Sequence, residues 1–575
     1  MPNLSQLKRQ RMLEFLNKIK AEHTDDESLI AINEIETEIT EKKYGLVWEQ
    51  HEERVDVEMQ TKVPVFSEDA NREIASNEEL PYNFLLEGDN LHSLKLLEKT
   101  HKGKIDVIYI DPPYNTGNSF VYADEKVDLN DSFRHSKWLS FMSERLRIAH
   151  GLLSDSGIVF ISIDDNEQAN LKLICDDIFG ENNFFTQIIV QSNKRGQTYK
   201  QIAKTHEYIL VYTKSPEAEF NEIEKTDDNN DLNLSDNISK YNIREIRNRN
   251  PKFGRFNRPN LFFPFYVNPN IVDKNGFSPV SLVRTDDYTI EVLPYNSKGE
   301  ESCWRWGTKL AEENINENTL LSNVVAKPVK TGGYNIYEKY RKTTYKAKSI
   351  WDETGMITEH GTVQLGEIGL SELFQFPKPV ELISKCLQIG SQRDSVVLDF
   401  FAGSGTTGQA VMELNKADNG SRRFILCTNN ENSICEEVTY NRIKTVISGK
   451  RIDGTDYSEG IPANLKYYKT DFIDKTSPDP DYNIEGELLK HIAEMVQLEY
   501  AVKLDGTNYV LLMSDEQADN FIANDESLAR CKAIYVSTAV LLTAEQQKKL
   551  SDNGIAVFVI PDYYFESELL EVGER

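Results

Sequence analysis

At 575 residues, of which 39% are hydrophobic and 27% charged, the chain has the size of about three to five domains and the composition of an ordinary globular protein. It has no run of 18 apolar residues, which excludes a membrane-spanning helix, and Met1–Arg9 lacks the apolar core of a signal peptide, so the cytoplasm is the expected compartment. The cysteines, Cys175, Cys303, Cys386, Cys427, Cys435 and Cys531, form no CxxC pair, so neither a metal site nor a disulfide framework is expected. The net charge of −28 argues against a polyanionic partner, but the charge is uneven. Residues 186–370 hold 25 basic against 24 acidic residues, while 451–575 hold 11 against 24. Within the neutral stretch, 240–258 carries seven basic residues against Glu245 alone, and 327–348 carries seven against Glu338 alone. Such clusters can contact phosphates locally whatever the sign of the whole molecule. Lys194, Arg195, Arg247 and Arg255 are the candidate nucleic-acid contacts within this stretch.

In chain order, residues 1–60 read as helix, with Met12, Phe15, Leu16 and Ile19, then Ile30, Ile32, Ile35 and Ile39, in a charged background. Residues 61–80 read as a polar, strand-poor connector. From about residue 83 strands and helices alternate: a short strand closing at Gly88-Asp89-Asn90, a helix from Leu91 to Lys99, and the nearly continuous apolar strand Ile105–Ile110. A helix over 136–153, a strand over 157–163, a helix over 166–178 and a strand over 206–212 continue the series. Residues 215–365 break it, being rich in Asn, Asp, Pro, Gly and aromatics. The alternation resumes with a helix over 377–390, a strand over 395–400, a helix over 407–415, a strand over 422–428 and a helix over 433–446. Residues 451–575 read as a separate acidic α/β module. The predicted fold class is a doubly wound α/β sheet.

Strand 105–110 ends in Asp111-Pro112-Pro113-Tyr114, where ligands of parallel sheets bind. The prolines fix the backbone and remove donors, leaving rigid carbonyl acceptors. The Asp111 carboxylate and the Pro112 carbonyl can together accept both hydrogens of an amino group. That pull turns the nitrogen lone pair out of conjugation with its ring and towards an incoming methyl. Tyr114 offers a face for base stacking, worth about 1–3 kcal/mol.

The second constellation is strand Ser395–Phe400 running into Phe401-Ala402-Gly403-Ser404-Gly405-Thr406-Thr407-Gly408. Its glycines match GxGxxG, which by itself says that a ligand approaches backbone at a helix N-terminus. Asp399 before the loop would repel a dinucleotide pyrophosphate, but suits the amino group of a methionine moiety. The next strand ends in Asn429, Asn430 and Glu431, three candidates for holding ribose hydroxyls.

The two motifs together resemble the amino-methyltransferases of DNA, and their order resembles the permuted beta class. Leu86–Asn90, Ile108–Gly117, Ile161–Glu167, Lys204–Tyr212 and Phe376–Pro379 resemble the modification (Mod) subunit of type III restriction–modification systems. The resemblance implies a permuted, Rossmann-like S-adenosylmethionine-dependent core. Its layout is a helical region (1–75), a catalytic half (76–214), a target-recognition domain (215–365), a cofactor half (366–450) and a C-terminal interaction module (451–575). It implies catalysis by Asp111, Pro112, Pro113 and Tyr114 on a base flipped from the duplex, and cofactor contacts from Asp89, Lys378, Pro379, Asp399, Phe400, Gly403, Gly405 and Thr406. It also implies double-stranded DNA as substrate, a homodimer and a restriction (Res) ATPase/nuclease partner. No GxxxxGK[ST] loop is present, so an ATP motor would be another chain. Asp111 favours N6 of adenine over N4 of cytosine. A cytosine-C5 enzyme would need a Pro-Cys pair, which is absent. The other readings are an N4-cytosine methyltransferase and a catalytically silent DNA-recognition subunit.

Overall fold

The computed structural model describes residues 4–22, 26–40, 48–117, 121–122, 125–126, 131–196, 201–225, 232–330, 332–479, 481–560 and 564–571. Residues 1–3, 23–25 and 41–47 of the expected helical region lie outside the described residues. The chain forms two compact units, Met1–Asn221 with Lys348–Arg575, and Glu222–Ala347.

The large unit is built on a ten-stranded sheet. Its strands are β1 (Lys62–Glu68), β2 (Tyr82–Glu87), β3 (Ile105–Ile110), β4 (Leu153–Ile163), β5 (Phe184–Val190), β6 (Glu207–Thr213), β7 (Ile350–Trp351), β8 (Val396–Asp399), β9 (Arg423–Thr428) and β10 (Asn464–Asp474). Their spatial order is β1-β10-β2-β9-β8-β3-β4-β6-β5-β7. The centre, from β10 to β4, is parallel, while β1, β6 and β5 each pair antiparallel with a neighbour. The apolar runs predicted as buried strands are buried: Ile105, Val107, Ile108, Tyr109 and Ile110 on β3, and Val396 to Leu398 on β8. The α-helices of this unit up to residue 448, among the described residues, are α1 (Leu4–Glu22), α2 (Asp26–Thr40), α3 (Arg54–Thr61), α4 (Asn90–His101), α5 (Arg134–Leu152), α6 (Gln168–Phe179), α7 (Thr358–Ile368), α8 (Val380–Gly390), α9 (Thr406–Asp418) and α10 (Tyr440–Ser448). The topology makes β3 and β8 neighbours, with Val107 opposite Val397 and Ile108 opposite Leu398. Two motifs almost 300 residues apart therefore leave the sheet side by side.

Three expectations are corrected. Residues 61–80 are not a strand-poor connector, because β1 forms the sheet edge with Val63, Val65 and Phe66 buried. Pro64 is tolerated there because an edge strand can spare a donor. The partner of β1 is β10, paired from Lys62 opposite Asp474 to Glu68 opposite Tyr468, so local pattern could not reveal it. For the same reason 451–575 is not separate from its first residue: β10 completes the main sheet between β1 and β2. Only beyond it does a small parallel sheet follow, of Tyr509–Leu512, Ala533–Ser537 and Ala556–Ile560. Strand β5 was also not foreseen; Ile350 and Trp351 of β7 join its outer side in parallel, so they belong to the large unit and not to the inserted one.

The small unit, Glu222–Ala347, departs from α/β as expected. It holds an antiparallel sheet of Leu234–Ser235, Lys240–Glu245, Tyr334–Tyr340 and Val324–Pro328, and a second of Val280–Ser281, Phe265–Val267 and Ile290–Val292. Ile246, Phe265, Val267, Trp304, Val324 and Ile336 form its core.

Candidate active site

Asp111 to Tyr114 follow β3 directly, and their groups are already arranged. Tyr114 Oη donates to Asp111 Oδ1 at 2.7 Å. Trp138 Nε1, on α5, donates to the Pro113 carbonyl at 2.7 Å. Among the described residues, neither Asp111 Oδ2 nor the Pro112 carbonyl has a donor. Those are the two acceptors that the sequence pointed to. Asn115 next closes the turn with φ of 55°, and its Nδ2 donates to the buried Glu167 at 2.5 Å. Glu167 also holds His135 at 2.6 Å and Asn170 at 2.7 Å, so the turn is tied to α5 and α6.

Lys378 departs from its expected place. Its side chain is not among the cavity's lining but bridges the Asp-Pro-Pro-Tyr turn and β6, with Nζ 2.8 Å from Glu207 Oε2, 2.7 Å from Tyr114 Oη and 3.4 Å from Asp111 Oδ1. Burial works against its charge, but Asp111 and Glu207 outweigh that and hold its pKa above the usual lysine value. Tyr114 is the opposite case: burial, then the Asp111 charge, push its phenol well above the usual value, so it stays a neutral donor. Glu207, at the start of β6, is the residue that sequence reasoning missed, although the segment Lys204–Tyr212 was singled out. A lone glutamate opening a strand carries no signal until Lys378 is seen against it.

Beside this cluster lies a cavity of about 560 Å³. Asp89, Asp111, Pro113, Phe400, Gly403, Asn429 and Glu431 line it, with Phe141, Phe374, Phe401 and Thr428. Of the three ribose candidates, Asn429 and Glu431 reach the cavity. Asn430 instead accepts the backbone N–H of Glu436 at 3.2 Å. Asp89 caps α4, accepting from the Leu91 N–H at 2.8 Å. Its carboxylate is also held by Arg145 at 3.2 Å. Pro379 is the N-cap of α8 and Thr406 is buried under the loop, so both support the cavity and do not face it.

Glycine is required at 405 for a plain reason. It caps α9 with φ of 77°, and a Cβ there would stand 3.1 Å from Thr439 Cγ2. Asp399 is engaged by the loop that follows it. It is buried and spent on the loop itself, with Oδ1 accepting from the Phe401 N–H at 3.0 Å and Oδ2 from the Thr407 hydroxyl at 2.5 Å. Burial pushes its pKa up to about 7, from 3.8 in an unfolded chain. The folded state therefore binds the extra proton between about pH 4 and 7, and this group's contribution to stability is lost as pH rises through that window. Asp399→Asn is expected to remove that slope, seen as a flatter melting temperature against pH from 4 to 7 than in the unaltered chain.

Among the candidate DNA contacts, Lys194 and Arg195 are exposed on the loop after β5, and Lys194 Nζ donates to Thr354 Oγ1 at 2.7 Å. In the small unit Arg255 is exposed and 2.8 Å from Glu301. Arg247 is mostly buried and 2.8 Å from Glu245, which also binds the exposed Arg249. Among the described residues no helix is long and apolar enough to cross a membrane.

A family model described as DNA methylase matches residues 105–440, from the first residue of β3 to the first of α10. The type II methyltransferase M.KpnI of Klebsiella pneumoniae is 36% identical over 67% of this chain and 90% of its own length. The EcoPI Mod subunit of Escherichia phage P1, from a type III restriction-modification enzyme, is 34% identical over 69% of this chain and 65% of its own. The StyLTI Mod subunit of Salmonella typhimurium is 33% identical over 68% of this chain and 59% of its own. The chain thus spans most of the type II enzyme and less than two thirds of the two Mod subunits. With the Asp-Pro-Pro-Tyr turn and the glycine loop both inside the matched range, the chain belongs to the DNA methylase family.

Proposed function

We propose that this DNA methylase transfers the methyl group of S-adenosylmethionine to N6 of an adenine swung out of the duplex, at one short sequence. The observation that carries the reading is the pair of unengaged acceptors, Asp111 Oδ2 and the Pro112 carbonyl, in the turn whose Asp111 and Pro113 line the cavity that reaches Gly403. The lining fits the cofactor: Phe400, Phe401 and Phe374 offer ring faces and edges for its base, and Asp89, Asn429 and Glu431 offer acceptors for its hydroxyls. When bound, S-adenosylmethionine supplies an electrophilic methyl on a sulfonium centre. The chain's own residues do the rest. Asp111 and Pro112 accept the amino hydrogens and orient the lone pair. Tyr114 stacks on the extruded base, whose unstacking costs a few kcal/mol. The Lys378 ammonium, itself held by Glu207, fixes Tyr114 and Asp111 by direct contact. The inserted unit, Glu222–Ala347, reads the DNA, and the chain works in the cytoplasm as a dimeric modification subunit with a separate restriction subunit.

Base-resolved modification sequencing of DNA from cells expressing the chain or its Tyr114→Ala variant tests the reaction. N6-methyladenine at one motif, lost in the variant, is the expected result; methylcytosine would move the assignment to N4 of cytosine, and no modification would favour a silent recognition subunit. For the inserted unit, Arg255→Ala is expected to weaken DNA binding and lower the slope of log affinity against log salt by roughly 1. An unchanged slope removes Arg255 from the interface. Arg247, far less exposed than Arg255 and paired with the buried Glu245, is expected to contribute less.

A further inference from the structure

Arg442 lies on α10 behind the glycine loop and is completely buried. Its Nε donates to Gln409 Oε1 at 2.7 Å, and its Nη1 to Thr406 Oγ1 at 2.8 Å and Ser404 Oγ at 3.1 Å. All three partners are neutral, and Nη2 has none. The nearest acid on this side is Glu413, which faces Gln409 Nε2 at 2.8 Å and not the guanidinium, and Tyr457 stands behind the same amide at 3.4 Å. Burial lowers the Arg442 pKa only to about 10, so it stays a cation near neutral pH.

A buried charge without a counter-ion is costly, so a chain keeps one where something offsets it. The position of Arg442 makes the cost larger. Thr406 is the first residue of α9, the positive end of a 13-residue helix, where an anion is favoured and a second cation is not. Asp399, the acid nearest the loop, is occupied by Phe401 and Thr407. The loop's open side is the cavity, reached at Gly403, whose lining also holds the acidic Asp89 and Glu431 and the basic Arg54.

We propose that Arg442 turns the glycine loop into an anion seat for the carboxylate of the cofactor's amino-acid moiety. It acts as a positioning residue, through the Thr406 and Ser404 hydroxyls it holds. Thr406 Oγ1 in turn donates to the Lys378 carbonyl at 3.1 Å, so the same hydroxyl also ties the seat to the segment that delivers Lys378. The proposal rests on S-adenosylmethionine being the methyl donor.

Calorimetric titration of the full chain with S-adenosylmethionine and with its decarboxylated analogue tests it. The unaltered chain is expected to prefer the carboxylate-bearing ligand. Arg442→Met is expected to weaken S-adenosylmethionine binding by roughly tenfold or more, as for loss of a charge-assisted contact, and to leave the decarboxylated analogue within about threefold. Arg442→Lys, which keeps the charge, is expected to retain most of the preference. Equal losses for both ligands would make Arg442 a packing residue only, and an unchanged S-adenosylmethionine affinity would also overturn the proposal. Failure of the unaltered chain to bind either ligand would instead refute the methyl-donor reading, and this proposal with it.

Discussion

Asp111→Ala is expected to lower the single-turnover rate of methylation by about 10²–10⁴-fold, the range for loss of one positioned acid–base or electrostatic group. It is expected to leave S-adenosylmethionine affinity within about threefold, because most of the cavity lining is untouched. The geometry gives the reason. Oδ1 of Asp111 is already engaged by Tyr114 at 2.7 Å, and Oδ2 is left for the substrate amine. Removing the carboxylate leaves the Pro112 carbonyl as the one acceptor, and the lone pair is no longer turned towards the methyl. It also leaves Lys378 neutralised by Glu207 alone, 2.8 Å away, so the lysine stays in place and the fold is not expected to suffer. Rapid-quench methylation beside equilibrium titration separates the two effects. An equal fall in rate and in cofactor affinity would assign Asp111 mainly to the cofactor site.

The second large effect is expected at Arg145. This side chain is fully buried on α5, and its Nη1 and Nη2 grip Glu53 at 2.6 and 3.1 Å. It also reaches Asp89 at 3.2 Å, Asn90 at 2.6 Å and the Phe141 carbonyl at 2.9 Å, with its guanidinium 3.8 Å from the Phe141 ring centre. One arginine thus fixes a residue before β1, the cap of α4 and an aromatic wall of the cavity. Arg145→Met is expected to destabilise the chain by about 3–5 kcal/mol, the cost of leaving a buried partner unpaired. Burial already raises the Glu53 pKa against the pull of Arg145, and without the arginine it rises further. A carboxyl with a raised folded pKa loses its contribution as pH rises. The deficit is therefore expected to be larger at pH 8 than at pH 5 in denaturant titrations. A deficit independent of pH would show that Glu53 finds another counter-charge. Cofactor affinity is expected to fall as well, since Asp89 loses the contact that orients it.

What the sequence determined by itself is what short-range chemistry encodes. The apolar run Ile105–Ile110 and the turn after it declare a buried strand ending in rigid acceptors. The run Val396–Asp399 with Gly403 and Gly405 declares a strand, a tight loop and a helix start, and φ of 77° at Gly405 is why glycine stands there. Each depends on neighbours within a few residues, so each is legible without the fold. Only the tertiary structure decided the rest. β1 is a strand because Tyr468–Asp474 lies beside it, some 400 residues away. Lys378 joins the Asp-Pro-Pro-Tyr turn because Glu207 and Asp111 converge on it from β6 and the end of β3. Asp399 holds the loop because burial brings the Phe401 N–H and the Thr407 hydroxyl against its carboxylate. Glu53, Arg145 and Arg442 carry no motif at all. Their importance lies in charges desolvated by segments far apart in sequence, and a charge acquires its partner, or lacks one, only when the chain has folded around it.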